Sequence, residues 1–189
     1  MSSYALAQHD QMLAGLIIPS FVVALDLTAS PPMCRVSNGG DWTSAWVRWH
    51  SIAAGKARHW RAPSMGEQGV LISPSGDPAQ GTFVPGLYGN AGPPPDNRNH
   101  VEVWRFDDGG SLVYDWEANS YAVTLPTGTV SIKVGASVWS VTDNAITGRS
   151  ASIKLIGATE IDGTLLVTGD VTGLGKIIDT GGNTPNHKH

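Results

Sequence analysis

Residues 120–181 read SYAVTLPTGTVSIKVGASVWSVTDNAITGRSASIKLIGATEIDGTLLVTGDVTGLGKIIDTG, and how that stretch is read decides the fold. It carries no helical periodicity. Short apolar pulses recur instead: Val123/Leu125, Val130/Ile132/Val134, Val138/Val141, Ile153/Leu155, Leu165/Val167, Val171 and Ile177. Gly128, Gly135, Gly148, Gly157, Gly163, Gly169, Gly173 and Gly175 punctuate them. Pulses this short, mixed with Thr and Ser, leave one copy too little apolar surface to close its own core. Three copies wound about one axis remove the difficulty. Each strand then places every second side chain on the axis and pairs its edges with neighbouring chains. About ten strands stacked at about 4.8 Å give a shaft on the order of 50 Å long. The expectation is a trimeric β-helix, an intertwined triangular prism, over residues 100–180.

Outward toward the N-terminus, Val101 to Phe106 and Leu112 to Asp115 alternate and begin that shaft. Pro93-Pro94-Pro95-Asp96-Asn97 precedes them, and three prolines favour a stiff extended linker, placed at 93–99. Before the linker, strands are expected at Ile17 to Thr28, Met33 to Ser37, Ala45 to His50, Gln68 to Ile72 and Thr82 to Leu87. Five short strands in about 75 residues suit a small OB-type barrel over 15–92. In the first strand Phe21, Val23, Leu25 and Leu27 alternate against Val22, Ala24 and Asp26. Trp42, Trp46 and Trp49 stand at helical spacing, yet Gly39-Gly40 and the β-branched Val47 argue for a loop entering a strand. A short helix is expected within 1–14, capped by Ser2 or Ser3 and ended at Gly15.

Composition narrows the function. The 189 residues hold 23 Gly, 12 Pro and 15% charged residues, too apolar for disorder and too glycine-rich for a helical bundle. A net charge of -4 offers no basic surface for phosphates, so no nucleic-acid partner is expected. Cys34 is the lone cysteine, which excludes an intrachain disulfide and fits assembly in a reducing cytoplasm. The N-terminus lacks the basic start of a secretory signal. The longest apolar run, Leu13 to Leu25, contains Gly15, Pro19 and Ser20 and is too short to span a bilayer. Release inside a particle, by lysis, is the expected way out of the cell.

Several stretches carry a resemblance. They are Gly40-Asp41-Trp42 to Trp49, Ala54-Gly55-Lys56-Ala57-Arg58-His59-Trp60, Pro63-Ser64-Met65-Gly66-Glu67-Gln68, Ser73-Pro74-Ser75-Gly76-Asp77 and Pro95-Asp96-Asn97. Together they resemble baseplate assembly protein V, the central spike of contractile-tailed phages and R-type pyocins. The likeness is strong over about residues 15 to 100 and mainly compositional beyond, except for His187-Lys188-His189. It implies an OB barrel that attaches to the tail hub and baseplate, and a homotrimeric β-helix ending in a metal-capped apex. It implies a His-x-His motif, matched by His187 and His189, whose six imidazoles from three chains hold one iron ion. Ca²⁺ and Cl⁻ on the shaft axis are implied by the resemblance alone. The implied role is a non-enzymatic spike that pierces the bacterial outer membrane during sheath contraction. Its place is the virion tail baseplate or an extracellular phage-tail-like bacteriocin particle.

The apex also follows from strand geometry. In an extended strand residues i and i+2 point the same way. His187 and His189 then face the threefold axis and Lys188 faces solvent. Six neutral nitrogen donors form a saturated octahedral shell that suits iron or another late first-row divalent metal. Zn²⁺ prefers four ligands, and Mg²⁺ or Ca²⁺ prefer oxygen. A saturated shell leaves no position for substrate, so the metal is expected to be structural. The free carboxylate of His189 is expected beside it. Taken alone, a terminal His-Lys-His reads more simply as an exposed tail or a tag remnant.

No catalytic residue is expected. His50, His59 and His100 are scattered and read as barrel or linker histidines. Asp107-Asp108 before Gly109-Gly110 reads as a hairpin turn, not a carboxylate pair. Ser73, Ser75 and Asp77 sit in a proline-glycine turn with no nucleophile elbow. There is no phosphate-binding loop, dinucleotide fingerprint or Cys-x-x-Cys. Trp42, Trp46, Trp49 and Trp60 read as core or hub-interface packing rather than base-stacking platforms. Arg35, Arg48, Lys56, Arg58 and Arg61 read as hub contacts or a solvated face. The competing function is a receptor-binding adhesin or hydrolase tail fibre built on a β-helix. That reading predicts a head or clustered carboxylates after the shaft, and the sequence has neither.

Overall fold

The computed structural model describes residues 3–175. One helix, α1 (Ser3–Gly15), precedes eleven strands. Strands β1 (Ile17–Asp26), β2 (Met33–Ser37), β3 (Arg48–Trp49), β4 (Gln68–Ile72) and β5 (Thr82–Leu87) form one sheet in the order β2-β1-β4-β5-β3. β3 runs parallel to β5, and the other pairs are antiparallel. Just before β3, Val47 and Cys34 exchange both backbone hydrogen bonds at 2.9 Å, which returns the sheet onto β2. The result is a nearly closed five-stranded OB barrel.

Its core is small and apolar: Val22, Cys34, Val36, Val47, Leu71 and Phe83 are buried, with Ile18, Leu25, Trp42 and Trp49 packed against them. Phe83 reaches the centre because Gly69 on β4 leaves room for its ring. A Cβ there would lie 2.7 Å from the Phe83 ring and would also strike the Val84 carbonyl. The alternation of β1 differs from the sequence expectation. Pairing with β2 shifts register between Val22 and Ala24, so Val23 is an extra residue. That bulge lets Val22 enter the core from one phase of the alternation and Leu25 from the other.

The tryptophan segment forms a loop and a strand, but β3 is shorter than Ala45 to His50. The reason lies at Ser44. Its Oγ accepts the Val36 N–H at 3.0 Å, so a side chain takes a place the ladder would otherwise fill. α1 rests on the turn at Pro74–Gly76. Gly76 has φ +72, and a Cβ there would collide with the Met12 carbonyl.

Beyond the linker, β6 (Val101–Arg105), β7 (Ser111–Asp115) and β8 (Ser120–Thr124) form an antiparallel meander. His59 of the barrel meets Trp104 of β6 edge-on, with ring centroids 6.0 Å apart. These three strands belong to the same compact unit as the barrel, which ends at Pro126. A second unit starts at Thr127 and holds a meander of β9 (Thr129–Val134), β10 (Ser137–Thr142) and β11 (Ile146–Arg149). No strand follows Arg149 among the described residues. The pulses Ile153/Leu155, Leu165/Val167 and Val171 have no ladder partner among the described residues, and their expected partners belong to other copies.

Candidate functional site

The feature that stands out is an unclosed apolar surface. Not one described residue from 127 onward is buried. Val134 is 76% exposed, Ile156 86%, Leu166 83% and Leu174 fully exposed. In the meander Trp139 stands across from Gly148, and its ring lies over that glycine beside Ile153. Ile132, Val134, Val138, Trp139 and Ile153 thereby line an open apolar groove. The outer edges of β9 and β11 are unpaired in their sheet. Soluble chains rarely leave so much contiguous apolar surface, and so many free strand edges, without a partner. Identical chains wound together supply both the covering surface and the missing ladders.

Comparison with known proteins agrees with this geometry. Residues 102–173 match the family model described as Gp138, beta helical trimerization domain. Residues 18–88 match that of the Type VI secretion system/phage-baseplate injector OB domain. The spike protein of Escherichia phage P2 is 32% identical to this chain over 189 residues, an alignment that takes in 94% of this chain and 88% of that one. The chain belongs to the phage spike-protein family. In this spike the first match takes in β6 to β11 and the strandless stretch after them, and the second coincides with the barrel.

The sequence-predicted site residues fall in three places. His187 and His189 lie outside the described residues. Among the described residues no group of three or more His, Cys, Asp or Glu stands together as a metal site. Of the barrel histidines, His50 donates its backbone N–H to the Phe83 carbonyl, and His59 Nδ1 lies 3.5 Å from Ser51 Oγ. Asp108 Oδ1 accepts the Gly110 N–H, and Asp77 Oδ1 accepts that of Ala79, so both serve turns. Arg35 lies over the Trp46 ring and donates to the Ser44 carbonyl. Arg61 makes a two-pronged bridge to Glu67 at 2.6 and 2.8 Å. Burial raises the Glu67 pKa, but Arg61 and the Ser64 N–H outweigh it, and the net shift is downward. Burial pushes the Cys34 thiol up to about 11, so it is a packing residue and not a nucleophile.

Sequence reasoning missed one cluster. After the proline run, Arg98 bridges Asp96 Oδ2 at 2.8 Å and Asp115 Oδ2 at 3.2 Å. His100 bridges Asp115 Oδ1 at 3.1 Å and Glu117 Oε2 at 3.2 Å. Asp115 Oδ1 also accepts the N–H groups of Glu117 and Ala118. The Ala118 N–H leads in holding the Asp115 carboxyl below its ordinary range; burial opposes it and His100 assists. Asp96 is held lower still, chiefly by Arg98. The signal was there in Asp-x-Arg-x-His at 96–100 and Asp-x-Glu at 115–117, but nothing local joins segments fifteen residues apart.

Proposed function

We propose that three copies of this chain form the piercing spike of a contractile phage tail, driven through the bacterial outer membrane as the sheath contracts. The carrying observation is that no described residue from 127 onward is buried: a segment that finds its core only between chains makes a thin, stiff rod. The work comes from contraction, and the spike needs no catalysis. The OB barrel serves as the attachment to the tail hub and baseplate, and assembly takes place in the producing cell's cytoplasm. The same architecture suits a pyocin-like particle. At the tip, His187 and His189 of three chains hold one structural iron ion, which ties chain ends that would otherwise fray.

Two measurements test this reading. Contracting particles with the wild-type spike should admit a dye that the intact outer membrane excludes. Equal dye entry from particles whose spike lacks the shaft would sink the piercing role. Anomalous scattering at the iron edge from crystals of the trimer should show one peak on the threefold axis. A peak absent there, or persisting after His187→Ala/His189→Ala, removes the iron-capped apex. Polysaccharide cleavage or glycan binding by the isolated trimer would instead favour the adhesin or hydrolase reading.

A further inference from the structure

Five polar side chains that follow the proline run form a single chain of contacts: Asp96, Arg98, Asp115, His100, Glu117. Asp115 is the centre. It is 8% exposed in a region where nearly every other side chain meets solvent, and its two oxygens accept from Arg98, His100 and two backbone N–H groups. Three members come from the end of the linker, and two come from the far end of β7 and the turn after it. The Trp116 N–H adds a backbone bond to the His100 carbonyl. A linker with three prolines is stiff along its length but has no ladder of its own to fix where it ends.

We propose that Asp115 is the positioning residue of the joint between linker and first shaft sheet, locking the chain's exit from residues 93–99 onto the β7–β8 turn so that thrust reaches the shaft without bending there. The inference rests on the piercing reading for its use, but not for its existence. The joint is a property of the isolated trimer. Hydrogen bonds to a charged, poorly hydrated carboxylate are worth more than neutral ones, and removing the charge weakens both the Arg98 bridge and the His100 Nδ1 bond that meet on it. Arg98 and His100 are more exposed, so each alone contributes less than Asp115.

The joint can be opened without touching the barrel core or the shaft interior. In the full-length trimer, Asp115→Asn should raise the rate of cleavage by a nonspecific protease within 93–99 by about tenfold. Sedimentation should still report a trimer. Arg98→Gln should give a smaller increase, and the double variant should cleave no faster than Asp115→Asn alone, because Arg98 ties the linker to β7 only through Asp115. Cleavage unchanged in Asp115→Asn, or strictly additive rates in the double variant, would overturn the proposal. Should Asp115→Asn fail to assemble, Arg98→Gln and His100→Gln carry the test through the same comparison: their effects must be smaller together than their product. None of these outcomes depends on dye entry, so the joint and the piercing role fail separately.

Discussion

The barrel and the shaft are written in similar alternating residues, yet they solve the burial problem in opposite ways. Phe83 and Leu71 are fully enclosed by their own chain, whereas Leu155 and Leu165, in pulses of the same kind, stand in solvent. The difference lies in the connections. The barrel's loops are long and irregular enough to bring β3 back beside β5 and β2. The shaft's turns are short, so each strand meets only the next. A chain that cannot return to itself must borrow its interior from its neighbours.

The contrast breaks most readily in the shaft. Leu155→Asp/Leu165→Asp places carboxylates where three copies should meet, and burying unpaired charge costs several kcal/mol per site. The trimer should dissociate in sedimentation while the barrel keeps its near-ultraviolet signal. A trimer that survives would mean these side chains face water. A smaller loss is expected from Phe83→Ala. It should lower barrel stability by about 3–5 kcal/mol in denaturant titration, with the oligomeric state unchanged. The smallest effect sharpens the comparison through pH. Because the Glu67 carboxyl is held below its ordinary value, the stability it lends is present above the ordinary carboxylate range. It is lost as pH falls through the lowered one. The exposed Arg61 partner limits this to about 1 kcal/mol or less. Glu67→Gln should flatten that acid dependence in barrel melting.

Much of this was legible in the residues. Runs such as Met33 to Ser37, Gln68 to Ile72 and Thr82 to Leu87 became strands with those bounds, because short apolar stretches bounded by turn residues favour extended pairing. Trp42, Trp46 and Trp49 stand at a helical spacing, but Gly39-Gly40 gave the loop away. The bulge at Val23 was not legible, since alternation cannot say where a strand takes on an extra residue. Nor was the Asp115 cluster, whose halves are brought together by the β6–β7 hairpin.

By itself the sequence determined that the shaft is β-structured and that one copy is not enough to bury the shaft. Those are consequences of composition and spacing, which act locally. Only the tertiary structure decided which phase of β1 faces the core, how β3 closes the barrel and which charges meet at Asp115. Register and long-range pairing depend on how the whole chain returns on itself, and no short window of residues contains that information.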